Sequence, residues 1–426
     1  MLTLLIAGFL VLMLLGVPIA FAMLLASIAY LLASTQLDML MLPQQVENGI
    51  DSSPLLAIPF FLLAGSLMVQ AGVVLRILLL LRVFIGHVRG GLAHCLVIAG
   101  AFLAGISGSG TADAAALGSV MIPALREERY AAPFATALSA SAGSLGSVLP
   151  PSINMIMYGA IGSVSVGRLY LGSVLPAALT VLALLLTSHV QVLRLQYGTV
   201  QARPPVRVQL RTLLHSLFDL ALPVIVVGGT LSGFFTPTEA GAVAVLYVLL
   251  LGFVLFRTLT VAKVMLSLRE TLGTLGAVML MLGTAAVIQY LLALHQVAES
   301  FGAAVASLSG SGLVFMLLMS LLLVALSCIL EVPAIVVLVT PIVVPILPQF
   351  GIDPVQFGIA MCIAMAIGLI LPPIGLAMFV TCAISKVRVE HYARAAVPFL
   401  IGLLAVLLLV AALPPLTTAL PHWKAP

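Results

Sequence analysis

Residues Gly105–Leu125 read GISGSGTADAAALGSVMIPAL, and this stretch decides the fold. It lies between long apolar runs, yet Ser107, Ser109, Thr111 and Asp113 stand where a simple membrane helix would carry Leu or Val. Irregular backbone and ionisable side chains survive in a bilayer only inside protein or against a watery cavity. The stretch is therefore the first place to look for a working site.

Composition says what surrounds it. Of 426 residues, 63% are hydrophobic and only 7% are charged, against about a quarter charged in soluble chains. The charges sit in short connections between apolar runs of spanning length. These features predict an all-α polytopic membrane protein. The alternating ten-residue pattern of a transmembrane barrel is missing from the sequence. The net charge of +4 does not point to nucleic acid, because no basic run carries interleaved aromatics. Cys95, Cys328, Cys362 and Cys382 lie in apolar segments without metal-type spacing and read as small buried hydrophobes. The first residues lack the basic region and cleavage site of a signal peptide and read as a retained span.

The Lys and Arg bias of loops toward the cytoplasm gives a topology. Residues 3–33 are expected as one long span broken near Gly16-Val17-Pro18, followed by an outside loop to about residue 52. Residues 54–72 cross back. The run with Arg76, Arg82 and Arg89 reads as an interfacial arm on the inside. The opening stretch is entered past Arg89 and left through Arg126-Glu127-Glu128-Arg129, both inside. Two segments of about 15 residues are roughly 22 Å each as helices, short of the ~30 Å core. A re-entrant helical hairpin with its tip at Ser107-Gly108-Ser109-Gly110 fits, and two short tilted spans are the alternative.

Residues 131–163 make one crossing interrupted by GSLGSVLPPSIN, where Gly143 and Gly146 loosen the turn and Pro150 and Pro151 cannot donate. Two half-helices with an unwound middle follow. The basic stretch 194–216, with Arg194, Arg203, Arg207 and Arg211, reads as a linker between halves. The second half brings crossings at 217–232, 237–256 and 271–293, then a loop to Gly312. A second hairpin follows around Glu331 and Pro333, and a second broken helix over 354–385 at LILPPIG. The last crossing covers 395–413.

A shift of 222 places Pro123 on Pro345, Gly146 on Gly368, Pro150-Pro151 on Pro372-Pro373 and Tyr170 on Tyr392. Loops matched in this way differ in basic charge, the mark of an inverted-topology repeat. Such repeats put the site at the midplane, where interrupted helices meet. The proposed organisation is scaffold and arm helices at 1–91, a first hairpin and broken helix at 92–193, the linker at 194–216, scaffold and arms at 217–312, and the second hairpin, broken helix and last span at 313–426.

A half-helix ending near Ser107 points carbonyls at the midplane and suits a cation; one beginning near Thr111 offers free N–H groups and suits a carboxylate. Ser107, Ser109, Thr111, Ser152 and Asn154 supply hard oxygen ligands of the kind sodium takes, Ser107, Ser109 and Ser152 foremost; helix capping or close packing is the other reading of each. Asp113 either caps its own half-helix or faces the bound solute. Gly108, Gly110, Gly146, Gly368, Gly375 and the paired prolines belong to the site as its backbone. Glu331, at the second tip, is expected in a coupling-ion or structural role, and Glu239 as a cap for the helix after Thr236-Pro237-Thr238. The histidines form no metal cluster, and no catalytic metal, nucleophile or nucleotide motif is visible.

GISGSGTADAAALGSVMIPAL, LPPSINMIMYG, FFTPTEAGAVAVLY and GIDPVQFGIAM with IGLILPPIGLAMFV together resemble the large membrane subunit of tripartite ATP-independent periplasmic (TRAP) transporters, over essentially the whole chain. The resemblance implies a sodium-coupled importer of organic anions in the bacterial inner membrane. It implies partners too: a small four-helix membrane subunit and a soluble periplasmic substrate-binding protein. It further implies an elevator-type movement of the hairpins and broken helices past a scaffold. Substrates in the family include C4-dicarboxylates, sialic acid, sugar acids and keto acids. The second half departs from the family's pattern. Glu331 replaces a common Asp, Ala364 and Leu371 replace a usual Asn and Thr near Pro372-Pro373, and Ala377 replaces another Asn. Fewer coupled ions than usual, or different ones, are expected from these losses. A stand-alone secondary carrier of the wider hairpin-containing superfamily is the competing expectation.

Overall fold

The computed structural model describes residues 1–34, 37–198, 203–308 and 310–423. Among these residues all regular structure is helical. Seven helices are long and apolar enough to cross a membrane: Ser53–Gln70, Val166–Leu195, Val206–Ser232, Pro237–Leu255, Val261–Leu294, Val332–Phe350 and Val389–Ala412. The chain is a multi-pass membrane protein.

The single span expected over 3–33 is instead two helices, Leu2–Leu14 and Ile19–Ala33, folded back on each other. Gly16 sits at φ +81°, a left-handed conformation that glycine adopts without a Cβ penalty, and ends the first helix. Pro18 opens the second with its fixed φ of −54°. The small residues Gly8 and Ala26 then face each other across the pair. Leu5, Ala26, Tyr30 and Leu31 form a cluster that also takes in Val287 and Leu291.

The outside loop expected up to residue 52 contains a helix, Met41–Ile50, laid against Val261–Leu294. Apolar solvent gives helices little reason to associate, so close approach through small residues matters. Gly283 provides it: a Cβ there would sit 2.9 Å from a methyl of Val46 and 3.2 Å from the Val46 carbonyl oxygen. Gly283→Leu is expected to lower thermal stability by about 1–3 kcal/mol through overpacking. Thermal unfolding in detergent checks this, and an unchanged melting temperature would refute the contact.

Two further loops are shorter than expected. Residues 194–195 and 206–216 of the expected linker are helical, the first ending Val166–Leu195 and the second opening Val206–Ser232 after Pro205, a helix that no Gly or Pro interrupts before Pro223. Residues 199–202 of that linker lie outside the described residues. The loop expected before Gly312 contains the helix Val297–Leu308. After the last crossing, Pro415–Trp423 forms a short helix that the sequence reading did not anticipate. The expectation for Glu239 holds: Thr236 and Glu239 form a reciprocal capping box, with Thr236 N–H donating to the Glu239 carboxylate at 2.8 Å.

The elements around the site follow the punctuation of the sequence. Gly91–Ser107 and Gly110–Glu127 carry the opening stretch and flank its turn at Gly108-Ser109. Ala132–Ser144, a short 3-10 turn at Leu145–Ser147 and Ile153–Ile161 form the first interrupted helix. Gly312–Ser327 and Val332–Val343 flank Glu331, and Pro354–Ile370 and Leu376–Ser385 flank the second Pro-Pro pair. Shifted by 222, the starts at Gly91, Gly110, Ala132, Ile153 and Val166 fall within one residue of those at Gly312, Val332, Pro354, Leu376 and Val389. The Pro150-Pro151 and Pro372-Pro373 bonds, equivalent under the same shift, are both cis.

Candidate functional site

The first tip is built by three residues. Ser107 ends one helix, Gly108 turns at φ +62°, and Ser109 is extended before the next helix begins at Gly110. Ser107 Oγ donates to Asp113 Oδ1 at 2.6 Å, and Ser109 N–H donates back to Ser107 Oγ at 3.2 Å. Asp113 thus ties the two arms together through Ser107 while lying in the first turn, where a helix favours negative charge. It is 2% exposed, and its Oδ2 has no hydrogen-bond partner among the described residues.

This tip docks into the first helix break. Ile153 N–H donates to Gly108 O at 3.4 Å, and a Cβ on Gly108 would lie 2.7 Å from Pro151 O. A Cβ on Gly146 would lie 2.7 Å from Asp113 Oδ2 and 2.9 Å from Gly110 N. The two breaks can approach this closely only because glycine stands at both contacts. Ser152 Oγ donates to Ser147 O at 3.0 Å within the break. Ser147 is a residue the sequence reading passed over. Its own hydroxyl is buried without a partner among the described residues, and a Cβ on Gly110 would come within 3.1 Å of it. Its only signal was membership of GSLGSVLPPSIN.

In front of the docked tip lies a cavity of about 260 Å³. Gly108, Ser109, Gly110, Thr111 and Asn154 line it from the first half, and Glu331, Val332 and Pro333 from the second tip. Thr274, Ala277, Val278 and Met281 of Val261–Leu294 close one side. Gly110, Ile153, Val332 and Leu376 all line it, and each is the first residue of a helix. Four helix N-termini thus converge on one small space. Helix N-termini present positive dipole ends and N–H groups left over from the helix ladder, an environment that suits an anion, although the Ile153 N–H is taken by Gly108 O. Among the described residues no Lys, Arg or His lines it, and Glu331 is its one ionisable side chain.

The remaining expected residues fall elsewhere. Ser107, Asp113, Gly146 and Ser152 form a buried layer behind the tip, and Pro150 and Pro151 are buried with them. Glu331 also lines a second cavity of about 410 Å³ with Ser327 and Gly368. Pro372, Pro373 and Gly375 line neither cavity. The two halves differ chemically, since Ile374 and Leu376 stand where the first break has Ser152 and Asn154. Among the described residues no group of three or more His, Cys, Asp or Glu could hold a metal ion.

Residues 6–416 match the family described as "Tripartite ATP-independent periplasmic transporter, DctM component". The chain is 35% identical to the sialic acid TRAP transporter large permease protein SiaM of Vibrio cholerae, covering 97% of both chains. It is also 35% identical to the C4-dicarboxylate TRAP transporter large permease protein DctM of Pseudomonas aeruginosa, over 87% of this chain and 86% of that one. The isethionate TRAP transporter permease protein DctMQ of Oleidesulfovibrio alaskensis is 34% identical over 94% of this chain, which spans 63% of that longer protein. In fold the chain resembles the Alcanivorax borkumensis YdaH transporter, with a TM-score of 0.57 and 15% identity over 87% of each chain. It likewise resembles Neisseria gonorrhoeae MtrF, with a TM-score of 0.58 and 14% identity over 88% of this chain and 83% of that one. The chain therefore belongs to the TRAP transporter family as its DctM component, a large permease and not an enzyme.

Proposed function

We propose that this chain is the translocating subunit of a sodium-coupled importer of a small organic anion. In this reading it sits in the bacterial inner membrane, pairs with a small four-helix membrane subunit and receives its solute from a periplasmic binding protein. The carrying observation is the convergence of four helix N-termini on one cavity of about 260 Å³. Such a space fits a compact organic acid and presents backbone N–H groups to its carboxylate. Relatives named for sialic acid and C4-dicarboxylates bracket the solute class.

Sodium belongs in the buried layer behind the first tip. Among the described residues Asp113 Oδ2 and Ser147 Oγ have no partner, and they lie next to Ser107, Ser109, Ser152 and the carbonyls that end the helix at Ser107, Ser147 also lining the central cavity. Hard oxygens and half-helix C-termini are what a sodium ion takes in such transporters. The second half offers Ile374 and Leu376 instead, so one well-built ion site is proposed. The helix starts that recur at a shift of 222 support an inverted-topology repeat. Its two hairpins and broken helices, 92–193 and 313–426, would move together past a scaffold of 1–91 and 217–312. Reconstitution tests this. An inward sodium gradient is expected to drive uptake of an organic anion only when the small subunit and binding protein are present. Uptake by this chain alone would favour a stand-alone carrier, and uptake indifferent to sodium would refute the coupling.

A further inference from the structure

The central cavity is chemically lopsided. Its first-half wall carries the hydroxyls of Ser109 and Thr111 and the amide of Asn154, and Thr274 adds a hydroxyl from Val261–Leu294. Its second-half wall is apolar, Leu369 and Leu376 included, apart from Glu331. A carboxylate inside a membrane protein is costly unless it serves a partner, and in a cavity that suits an anion it needs a physical reason.

Glu331 is free to act there. It stands at the N-cap of Val332–Val343, where a short acidic side chain would turn back onto the first N–H groups of the helix. Asp353 does so at the start of Pro354–Ile370, accepting from Val355 N–H at 2.7 Å. Glu331 makes no such bond. Its side chain is a methylene longer, and the second residue of its helix is Pro333, which has no N–H to give. Among the described residues it joins no ion pair, and no Lys, Arg or His lines either cavity that it reaches. The hard oxygens that would complete a sodium shell are missing from its own half, since Ile374 and Leu376 stand where the first break has Ser152 and Asn154. What remains for this carboxylate is to accept hydrogen bonds from a bound solute.

We infer that Glu331 selects the solute: it accepts a hydroxyl or ammonium donor at one end of a molecule whose single carboxylate lies against the first tip. The proposal rests on the organic-anion reading of this cavity above and narrows it to monocarboxylates that carry hydrogen-bond donors. At the first tip the helix that starts at Gly110, with Thr111 and Asn154 beside it, receives the carboxylate. At the far end a second carboxylate would face Glu331, and like charges set opposite each other are disfavoured. An alkyl end would displace water from Glu331 and give it no partner. A donor end avoids both costs, so the repulsive element and the attractive one are the same side chain.

Probes of equal chain length separate these cases: gluconate, with a single carboxylate and a terminal hydroxyl; glucarate, which differs only in a second carboxylate at that end; and hexanoate, which has no hydroxyl. Their binding to the full chain purified with its small membrane subunit is measured by calorimetry in sodium. The binding protein is left out, so that its own preference is not read. Wild type is expected to bind gluconate about tenfold or more tighter than either of the others. Glu331→Gln removes the charge and keeps the size, and should bring glucarate to within about threefold of gluconate. If that variant does not fold, the wild-type ranking decides alone. Glucarate or hexanoate bound as well as gluconate by wild type, or a glucarate ratio unmoved in Glu331→Gln, would overturn the role of Glu331 while the anion reading stands. If none of the probes binds at millimolar concentration, the anion reading of the cavity falls with it.

Discussion

Transport is expected to fall by about a hundredfold or more when Gly146 is replaced by valine, because displacements near 1 Å at a positioned site cost that much. A Cβ at Gly146 meets Asp113 Oδ2 at 2.7 Å, Gly110 N at 2.9 Å and the Ser109 carbonyl carbon at 2.9 Å. Two of these three atoms are backbone, so no side-chain rotation relieves the overlap. The first tip must lift off the break, separating Ser107 and Asp113 from Ser147 and Ser152 and moving the helix start at Gly110 away from the central cavity. Alanine should produce a smaller loss through the same contacts. Gly228→Ala is the control, since nothing lies within 4 Å of its added Cβ. Initial uptake rates, measured beside the elution profile of each purified variant, check the prediction. Near-wild-type uptake by Gly146→Val would mean that the tip does not need this seat.

The position of that seat was legible in the sequence because its signals are local. Small and polar residues at 105–113 and 143–154 interrupt apolar runs, and such interruptions in a bilayer demand protein or water beside them. The helix starts that recur at a shift of 222 were legible for the same reason: the shift aligns Gly and Pro, which act on their own backbone. What was not legible depends on contacts distant in sequence. Gly16 and Pro18 mark a break, but whether the chain continues or reverses there is decided by Gly8 meeting Ala26 and by the cluster with Val287 and Leu291. Met41–Ile50 looked like a loop because its polar residues gave no spanning pattern, and its apolar side makes sense only against Gly283. Ser147 was one serine among several; the turn at Leu145–Ser147 selects which of them faces Gly110.

The largest stability effect should come from the arm. Arg76 on Val73–Ile85 holds Asp219 of Val206–Ser232 with two parallel bonds, Nε to Oδ2 at 2.8 Å and one terminal nitrogen to Oδ1 at 3.0 Å. This bidentate geometry is the strong form of an Arg–carboxylate pair. The other terminal nitrogen donates to Ala71 O at 2.9 Å, and the guanidinium carbon lies 3.8 Å from the centroid of the Phe256 ring. The Asp219 side chain is fully buried. Arg76→Ala therefore strands a carboxylate away from water, and breaking a buried pair from one side costs about 3–5 kcal/mol. Arg82→Ala removes the more exposed pair to Glu128, where about 1 kcal/mol or less is expected. The cost at Arg76 comes mainly from the stranded charge and not from the lost attraction. Adding Asp219→Asn to Arg76→Ala should consequently recover part of the stability, while Arg76→Lys, which lacks the planar fork, should not restore the wild-type value. Thermal unfolding of the four variants decides the matter. Equal losses from Arg76→Ala and Arg82→Ala, or no recovery in the double variant, would show that the pair does not anchor the arm to Val206–Ser232.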